Sequence, residues 1–291
     1  MAIPAVVALP VTARPSSTKT TIPWWSTSCR RPDKMGAIAI HRATQVATDS
    51  PMPESVVSLI DHAVLSPTQT DADLRDACQM CIEVGTASVC VKPARLPLAV
   101  ELLAGSQVRP STVIGFPHGG TTTASKIHET EIACRQGARE VDMVVNIAKV
   151  IEQDWEYVAK DIRGVVETAA AAGVITKVIF ETGLLPSDEL KIRLCEICEE
   201  SGAAFVKTST GFGYVKDADG SLQPTGATEH DIKLMRSRIS EKVQVKASGG
   251  IRSYADAQKF VELGATRIGT SGTMAIWQGE QGQHTESAGE Y

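Results

Sequence analysis

Eight short runs rich in β-branched residues, most of them followed by a longer stretch of helical periodicity, constrain this chain more than any other feature. The runs are SLIDHAVL (58–65), ASVCVK (87–92), STVIGF (111–116), EVDMVVN (140–146), TKVIFET (176–182), AAFVKTS (203–209), VQVKAS (243–248) and TRIGTS (266–271). Each is bounded by Gly, Pro or polar turn residues, which reads as a strand. Between them, DADLRDACQMCIEVG, TTASKIHETEIACRQGA, WEYVAKDIRGVVETAAAAG, DELKIRLCEICEESG, EHDIKLMRSRI and YADAQKFVELGA place apolar residues at three- and four-residue intervals. Thr70 or Asp71, Ser187, Thr228 and Ser253 stand where helices open, and Gly85, Gly137, Gly173, Gly202 and Gly264 where they close. Eight such units in about 225 residues fit an α/β fold, a single (β/α)₈ TIM barrel. A doubly wound open sheet needs about six strands and usually a glycine fingerprint after the first. The first strand here ends in HAVLSPTQT, without glycine, so the barrel is preferred.

The barrel is expected over 55–278, leaving residues 1–50 and a polar tail, 279–291. Residues 1–50 carry six basic and two acidic residues, a net +4 against −5 for the whole chain, so the remainder carries −9. Twelve of the fifty are Ser or Thr, without an amphipathic period. A disordered extension, an over-long start with Met35 as the true first residue, and an organelle transit peptide all fit that composition. The corresponding locations are the cytoplasm or, for a transit peptide, an organelle. No run of about 18 apolar residues exists, so no membrane span is expected. The mild acidity argues against nucleic acid as the main partner. Aromatic residues are only 4%, so branched aliphatics, Ala and Gly must fill the core.

The seven cysteines include two CxxC pairs, Cys78/Cys81 and Cys195/Cys198. A four-thiolate zinc site is one reading. Both pairs lie inside helical patterns without knuckle turns, which favours small buried apolar residues. The odd count points to a reducing compartment.

In a barrel, chemistry sits at the C-terminal ends of the strands. Asp61, Asp142, Lys177, Glu181, Lys207 and Lys246 stand in or at the ends of apolar strands. Buried charge is costly unless paired. A balanced structural network of three cations and three anions is one explanation. Imine formation is the other. A lysine attacks a carbonyl only when neutral, and both apolar surroundings and a second ammonium favour the neutral form. Lys207 and Lys246 occupy consecutive barrel strands, and Asp142 can exchange protons with an imine or a substrate oxygen.

Lys207 begins KTSTGFG, Lys246 begins KASGGIR, and the last strand ends in IGTSGT. Loops after the last two barrel strands often bind phosphate through backbone amides and a helix N-terminus. Gly249, Gly250, Gly269, Ser271 and Gly272 are the candidates, and a phosphorylated substrate follows. No GxxxxGK[ST], HExxH or GxSxG is present, and the six histidines show no ligand spacing. His62 is read as a strand-end hydrogen-bonding residue.

Taken in order, LIDHAVL, SVCVKP, IGFPHG, EVDMVVN, KVIFETGLL, FVKTSTGFG, VKASGGIR and RIGTSG resemble the deoxyribose-phosphate aldolase family from about Ser55 to Trp277. The resemblance implies a cofactor-free, metal-free class I aldolase on a TIM barrel. It would interconvert 2-deoxy-D-ribose 5-phosphate with glyceraldehyde 3-phosphate and acetaldehyde, in deoxyribose phosphate catabolism, as a homodimer. It also implies roles: Lys207 for the Schiff base, Lys246 for its activation, Asp142 for the proton relay, with Lys177 and Asp61 lining the pocket and Cys90 at its edge. Thr210 and Gly211, with Gly249, Gly250, Ser271 and Gly272, would meet the substrate and its phosphate. Ala63 and Ser66 stand where many members have threonine and lysine, and Gly272 where many have Ser or Ala. The segment 213–228 is longer than the usual loop after KTSTGF, and Tyr291 is expected to fold over the site as in some relatives. A Schiff-base aldolase for another phosphosugar and a non-catalytic sugar-phosphate-binding barrel are the competing readings.

Overall fold

The structure, a computed structural model, describes residues 55–283. The expectations for residues 1–50 and for Tyr291 lie outside the described residues.

All eight expected strands form. They are β1 (Ile60–Val64), β2 (Ser88–Val91), β3 (Arg109–Ile114), β4 (Glu140–Val144), β5 (Ile175–Ile179), β6 (Phe205–Lys207), β9 (Gln244–Ser248) and β10 (Arg267–Thr270). They pair in parallel and close into a barrel, with β10 hydrogen-bonded back to β1. The helices are α1 (Asp71–Val84), α2 (Leu96–Leu102), α3 (Thr123–Arg135), α4 (Ile147–Ile151), α5 (Trp155–Ala171), α6 (Asp188–Ser201), α7 (Glu229–Ser237), α8 (Tyr254–Glu262) and α9 (Thr273–Glu280). The fold is a (β/α)₈ barrel.

Local chemistry sets the helix boundaries. Thr70 accepts from the Asp73 amide while Asp73 reaches back to the Thr70 amide, a capping box on α1. Thr228 and Ser253 cap α7 and α8 through side-chain oxygens, whereas Ser187 makes no such bond at α6. Along α5, Val158, Ile162, Val165, Val166 and Ala169 form the buried stripe that lies against the barrel. Cys78 and Cys81 on α1, and Cys195 and Cys198 on α6, belong to the same core, with burial pushing each thiol upward in pKa. They pack as small apolar residues.

Three helices escape the sequence reading. In α2, Pro97 interrupts the pattern but sits in the first turn, where a missing N–H costs nothing. The five-residue α4 is too short to show a period. The third, α9, crosses the expected boundary at 278: the helix runs to Glu280, whose carboxylate accepts from Ser55 Oγ at 2.7 Å and the Val56 amide at 2.6 Å. This ties the two ends of the described chain together. The long segment 213–228 holds a hairpin, β7 (Tyr214–Lys216) against β8 (Leu222–Pro224). No described helix is long and apolar enough to cross a membrane.

Candidate active site

Parallel register decides which strand residues face the barrel axis. Lys207 is paired with Lys246 and Lys246 with Arg267, so these three side chains lie side by side on the same face. Asp142 pairs with Lys177. Asp61 pairs with Ser88, and Ser111 pairs with Glu140.

These residues build one buried ionic cluster. Lys207 Nζ donates to Asp142 Oδ2 at 2.8 Å, and Lys246 Nζ donates to that same oxygen at 2.7 Å. Lys246 also meets Asp61 Oδ2 at 2.5 Å. Lys177 takes the other oxygen of Asp142 at 2.8 Å and reaches Glu140 Oε2 at 2.5 Å and Asp61 Oδ2 at 3.3 Å. Below them, one guanidinium nitrogen of Arg267 bridges Asp61 Oδ1 at 2.7 Å and Glu140 Oε2 at 2.8 Å. Ser88 Oγ donates to Asp61 Oδ1 at 2.6 Å.

The electrostatics differ from lysine to lysine. Burial raises the Asp142 and Asp61 carboxyls, but the lysines outweigh it and hold both well below the usual carboxylate range. Burial pushes Lys177 and Lys246 down, and their flanking carboxylates more than reverse this. Lys207 goes the other way. Burial lowers its pKa, Asp142 only partly opposes that, and the Lys246 charge adds to the fall. Of the three lysines, Lys207 is the one biased toward a free amine.

Ala63, Cys90 and Val113 are the next inward positions after Asp61, Ser88 and Ser111 on β1, β2 and β3. With Leu65, Phe116 and Phe212 they form a small apolar wall on that side of the barrel. The two phenylalanine rings meet edge to face at 5.5 Å. Burial raises the Cys90 thiol to about 11, so it stays protonated. Ala63 makes this wall fully apolar where a threonine would add a hydroxyl. Lys92 donates to the Ser66 carbonyl at the rim.

The glycine loops lie at the C-terminal rim, as expected. Gly249 has φ +91°, and a Cβ on neighbouring Gly226 would stand 2.6 Å from the Gly249 carbonyl oxygen. The two loops touch backbone to backbone, and Ala227 N–H donates to Gly249 O at 3.1 Å. Gly250 has φ +80° and Gly211 φ +84°. Ser271 is exposed just before α9. Two candidates are already engaged. The Gly272 amide donates to Thr270 Oγ1 at 2.9 Å, and the Thr210 hydroxyl donates to Glu181.

Glu181 departs from the sequence expectation. It takes no part in the lysine cluster, because the chain leaves the strand after Ile179 and Glu181 adopts left-handed backbone at φ +55°. There it receives the Thr210 amide at 3.2 Å and Thr225 Oγ1 at 3.3 Å, binding the base of the hairpin to the loop after Lys207. Glu140 takes the anion's place that Glu181 was expected to fill, and Arg267 adds a fourth cation. His62 faces away from the axis and bonds Thr273 Oγ1 at 2.8 Å through Nδ1.

Comparison with known proteins agrees with this geometry. The family model described as DeoC/LacD family aldolase matches residues 55–279. The deoxyribose-phosphate aldolase of Clostridium perfringens (strain 13 / Type A) is 45% identical over 232 residues, 80% of this chain and 98% of that protein. That of Carboxydothermus hydrogenoformans is 48% identical over 226 residues, 77% of this chain and 94% of the relative. Among solved structures, the tetrameric deoxyribose phosphate aldolase from Aeropyrum pernix superposes with a TM-score of 0.69 at 30% identity, covering 78% of this chain and 91% of that one. With its ion-filled barrel and a family match across nearly every described residue, the chain belongs to the DeoC/LacD aldolase family.

Proposed function

We propose that the protein cleaves 2-deoxy-D-ribose 5-phosphate reversibly to glyceraldehyde 3-phosphate and acetaldehyde, through a Schiff base on Lys207. One observation carries the reading: Lys207 and Lys246 both donate to a single oxygen of Asp142, and Lys207 alone is biased toward the neutral amine. The named activity of the curated relatives supports the choice of substrate.

The neutral Lys207 amine attacks the C1 aldehyde of the open-chain sugar. Loss of water from the carbinolamine leaves a protonated imine, which acts as the electron sink. A base removes the proton of the C3 hydroxyl, the C2–C3 bond breaks, and its electron pair moves onto the C1–C2 unit as an enamine. Glyceraldehyde 3-phosphate leaves, with C3 now its aldehyde carbon. Protonation of the enamine at C2 and hydrolysis of the imine then release acetaldehyde and restore the amine. Asp142, hydrogen-bonded to Lys246 and Lys207, is placed to pass these protons. Lys177, fully buried on the far oxygen of Asp142, fixes that carboxylate.

The apolar wall of Ala63, Cys90 and Val113 suits the methyl end of acetaldehyde. The rim amides of Gly249, Gly250 and the first turn of α9, with Ser271, suit the phosphate. The six described cysteines are free thiols, which supports a reducing compartment such as the cytoplasm. Self-association as a homodimer is part of the proposal.

The test is to treat the protein with deoxyribose 5-phosphate and sodium borohydride and map the modified peptide by mass spectrometry. The expected adduct is on Lys207. An adduct on another lysine, or none while cleavage proceeds and a chelator stops it, overturns the reading.

A further inference from the structure

The charges in the barrel do not cancel. Four buried cations, Lys177, Lys207, Lys246 and Arg267, face three buried anions, Asp61, Glu140 and Asp142. Arg109 also meets Glu140, at 3.0 Å, but its side chain is 56% exposed and water screens its charge. With every lysine protonated, the buried cluster carries +1. Removing one proton makes it neutral.

We propose that Arg267, with Glu140 as its counterweight, is the positioning residue that keeps Lys207 unprotonated and so competent to attack. This deepens the aldolase reading and rests on it. Arg267 is the one member of the set that never gives up its proton. Its guanidinium bridges Asp61 and Glu140 and lies 5.1 Å from the Phe205 ring, so two carboxylates are partly neutralised from below by a permanent charge. Lys177 and Lys246 use what negative charge remains. No carboxylate oxygen belongs to Lys207 alone, since its acceptor already binds Lys246.

The groups that face Lys207 are limited. Strand β4 supplies Asp142 and β9 supplies Lys246. Strand β5 supplies Lys177 through Asp142, and β1 supplies Asp61 through Lys246. Strand β2 supplies the neutral Cys90 thiol, and β3 supplies Val113, which has no charge. Arg267 sits on β10, one strand beyond Lys246, and Glu140 sits on β4 two residues before Asp142.

The proposal predicts opposite effects from two near-isosteric changes in one ion pair. Arg267→Met removes a cation, so the cluster is neutral with Lys207 protonated. Glu140→Gln removes an anion, so the cluster carries +2 with Lys207 protonated. Imine formation needs the free amine, so its rate rises with pH through the Lys207 titration. At two strand spacings, roughly 10 Å, one unit charge moves that titration by about one pH unit.

The experiment measures the rate of borohydride-trapped adduct on Lys207 against pH, with deoxyribose 5-phosphate as the probe. In Arg267→Met the midpoint of the rise moves up by about one pH unit. In Glu140→Gln it moves down. Arg267→Lys, which keeps the charge, brings the midpoint back toward the wild-type value. Should Arg267→Met not fold, Arg267→Gln removes the same charge and keeps hydrogen bonding. Unmoved midpoints, or shifts of the same sign in both, would falsify the role of Arg267 and leave the aldolase reading standing. So would an upward or absent shift in Glu140→Gln taken alone. Absence of any Lys207 adduct in the wild-type protein sinks the aldolase reading itself.

Discussion

Strand β4 joins two buried ionic clusters with different purposes. On its inner face Asp142 holds Lys177, Lys207 and Lys246. On its outer side the carbonyl of Val144 receives Lys126 Nζ at 2.8 Å, and Lys126 in turn meets Asp161 of α5 at 2.5 Å. The outer pair is closed. One cation meets one anion, and Thr123 Oγ1 fills the second carboxylate oxygen at 2.9 Å. The inner cluster has four basic groups for three carboxylates, and two lysine nitrogens share one oxygen. A buried ion pair whose charges match and whose bonds are satisfied holds structure in place. A buried cluster with a surplus charge has one group that is easier to discharge, and discharge is what a nucleophilic amine requires. The difference lies in the count and the sharing of partners, since both clusters are buried.

The largest expected effect comes from Lys207→Leu. It removes the surplus basic group, which is also the nucleophile. Turnover should fall by roughly 10⁴-fold or more. Thermal stability should hold or rise, because the remaining three cations balance three anions and an apolar side chain replaces a buried amine. A Tm drop comparable to that of a broken ion pair would mean that Lys207 is structural like Lys126.

Lys126→Met makes the converse prediction. Asp161 is left buried without its cation, and unfolding in denaturant should show a loss of about 3–5 kcal/mol. Replacing Asp161 by Leu in the same protein should recover most of it. The pH midpoint of adduct formation on Lys207 should not move in either variant. A moved midpoint would show that the two clusters communicate through β4 and are not independent.

The inner cluster was only half legible from the residues. Asp142, Lys207 and Lys246 stand among Val, Met and Phe in the middle or at the end of strands, where a charge is conspicuous. Glu140 and Arg267 sit at strand starts, after Arg139 and Thr266, where charged residues read as ordinary edge polarity. Parity held the missing signal: Glu140 is two residues before Asp142, and Arg267 two before Gly269, so each shares its neighbour's inward face. Glu181 misled for the opposite reason. KVIFET looks like one continuous strand, but the chain turns left-handed at Glu181 and carries the carboxylate away from the axis. Nothing in the residue pattern marks that turn. The eight strands were legible because β-branched content marks every one of them and glycine stops close five of the helices between them. The helix α2 and the hairpin were not, the one masked by Pro97, the other an exposed excursion without a core-facing pattern.

His62 extends the comparison to a buried group with no charged partner at all. It lies on β1, one residue from Asp61, but faces outward and bonds only the Thr273 hydroxyl. Burial lowers its pKa from 6.5 to about 4, so it is neutral in the folded protein at pH 5 and above. In the unfolded chain it titrates near 6.5. The folded pKa is therefore the lower one, and the unfolded state binds the proton first as pH falls. The stability that His62 permits is fully present above pH 6.5 and is lost as pH drops toward 4. Between pH 6.5 and 5 this amounts to about 2 kcal/mol, in a window where the cluster carboxylates stay ionised in either state. Denaturant unfolding of the wild-type protein should weaken by about that amount across the window, whereas His62→Gln should show a nearly flat profile. A wild-type profile as flat as the variant's would mean that His62 accepts a proton inside the fold. Burial without a partner would then not suffice to keep a side chain neutral in this barrel, and the surplus-charge account of Lys207 would lose its simplest precedent.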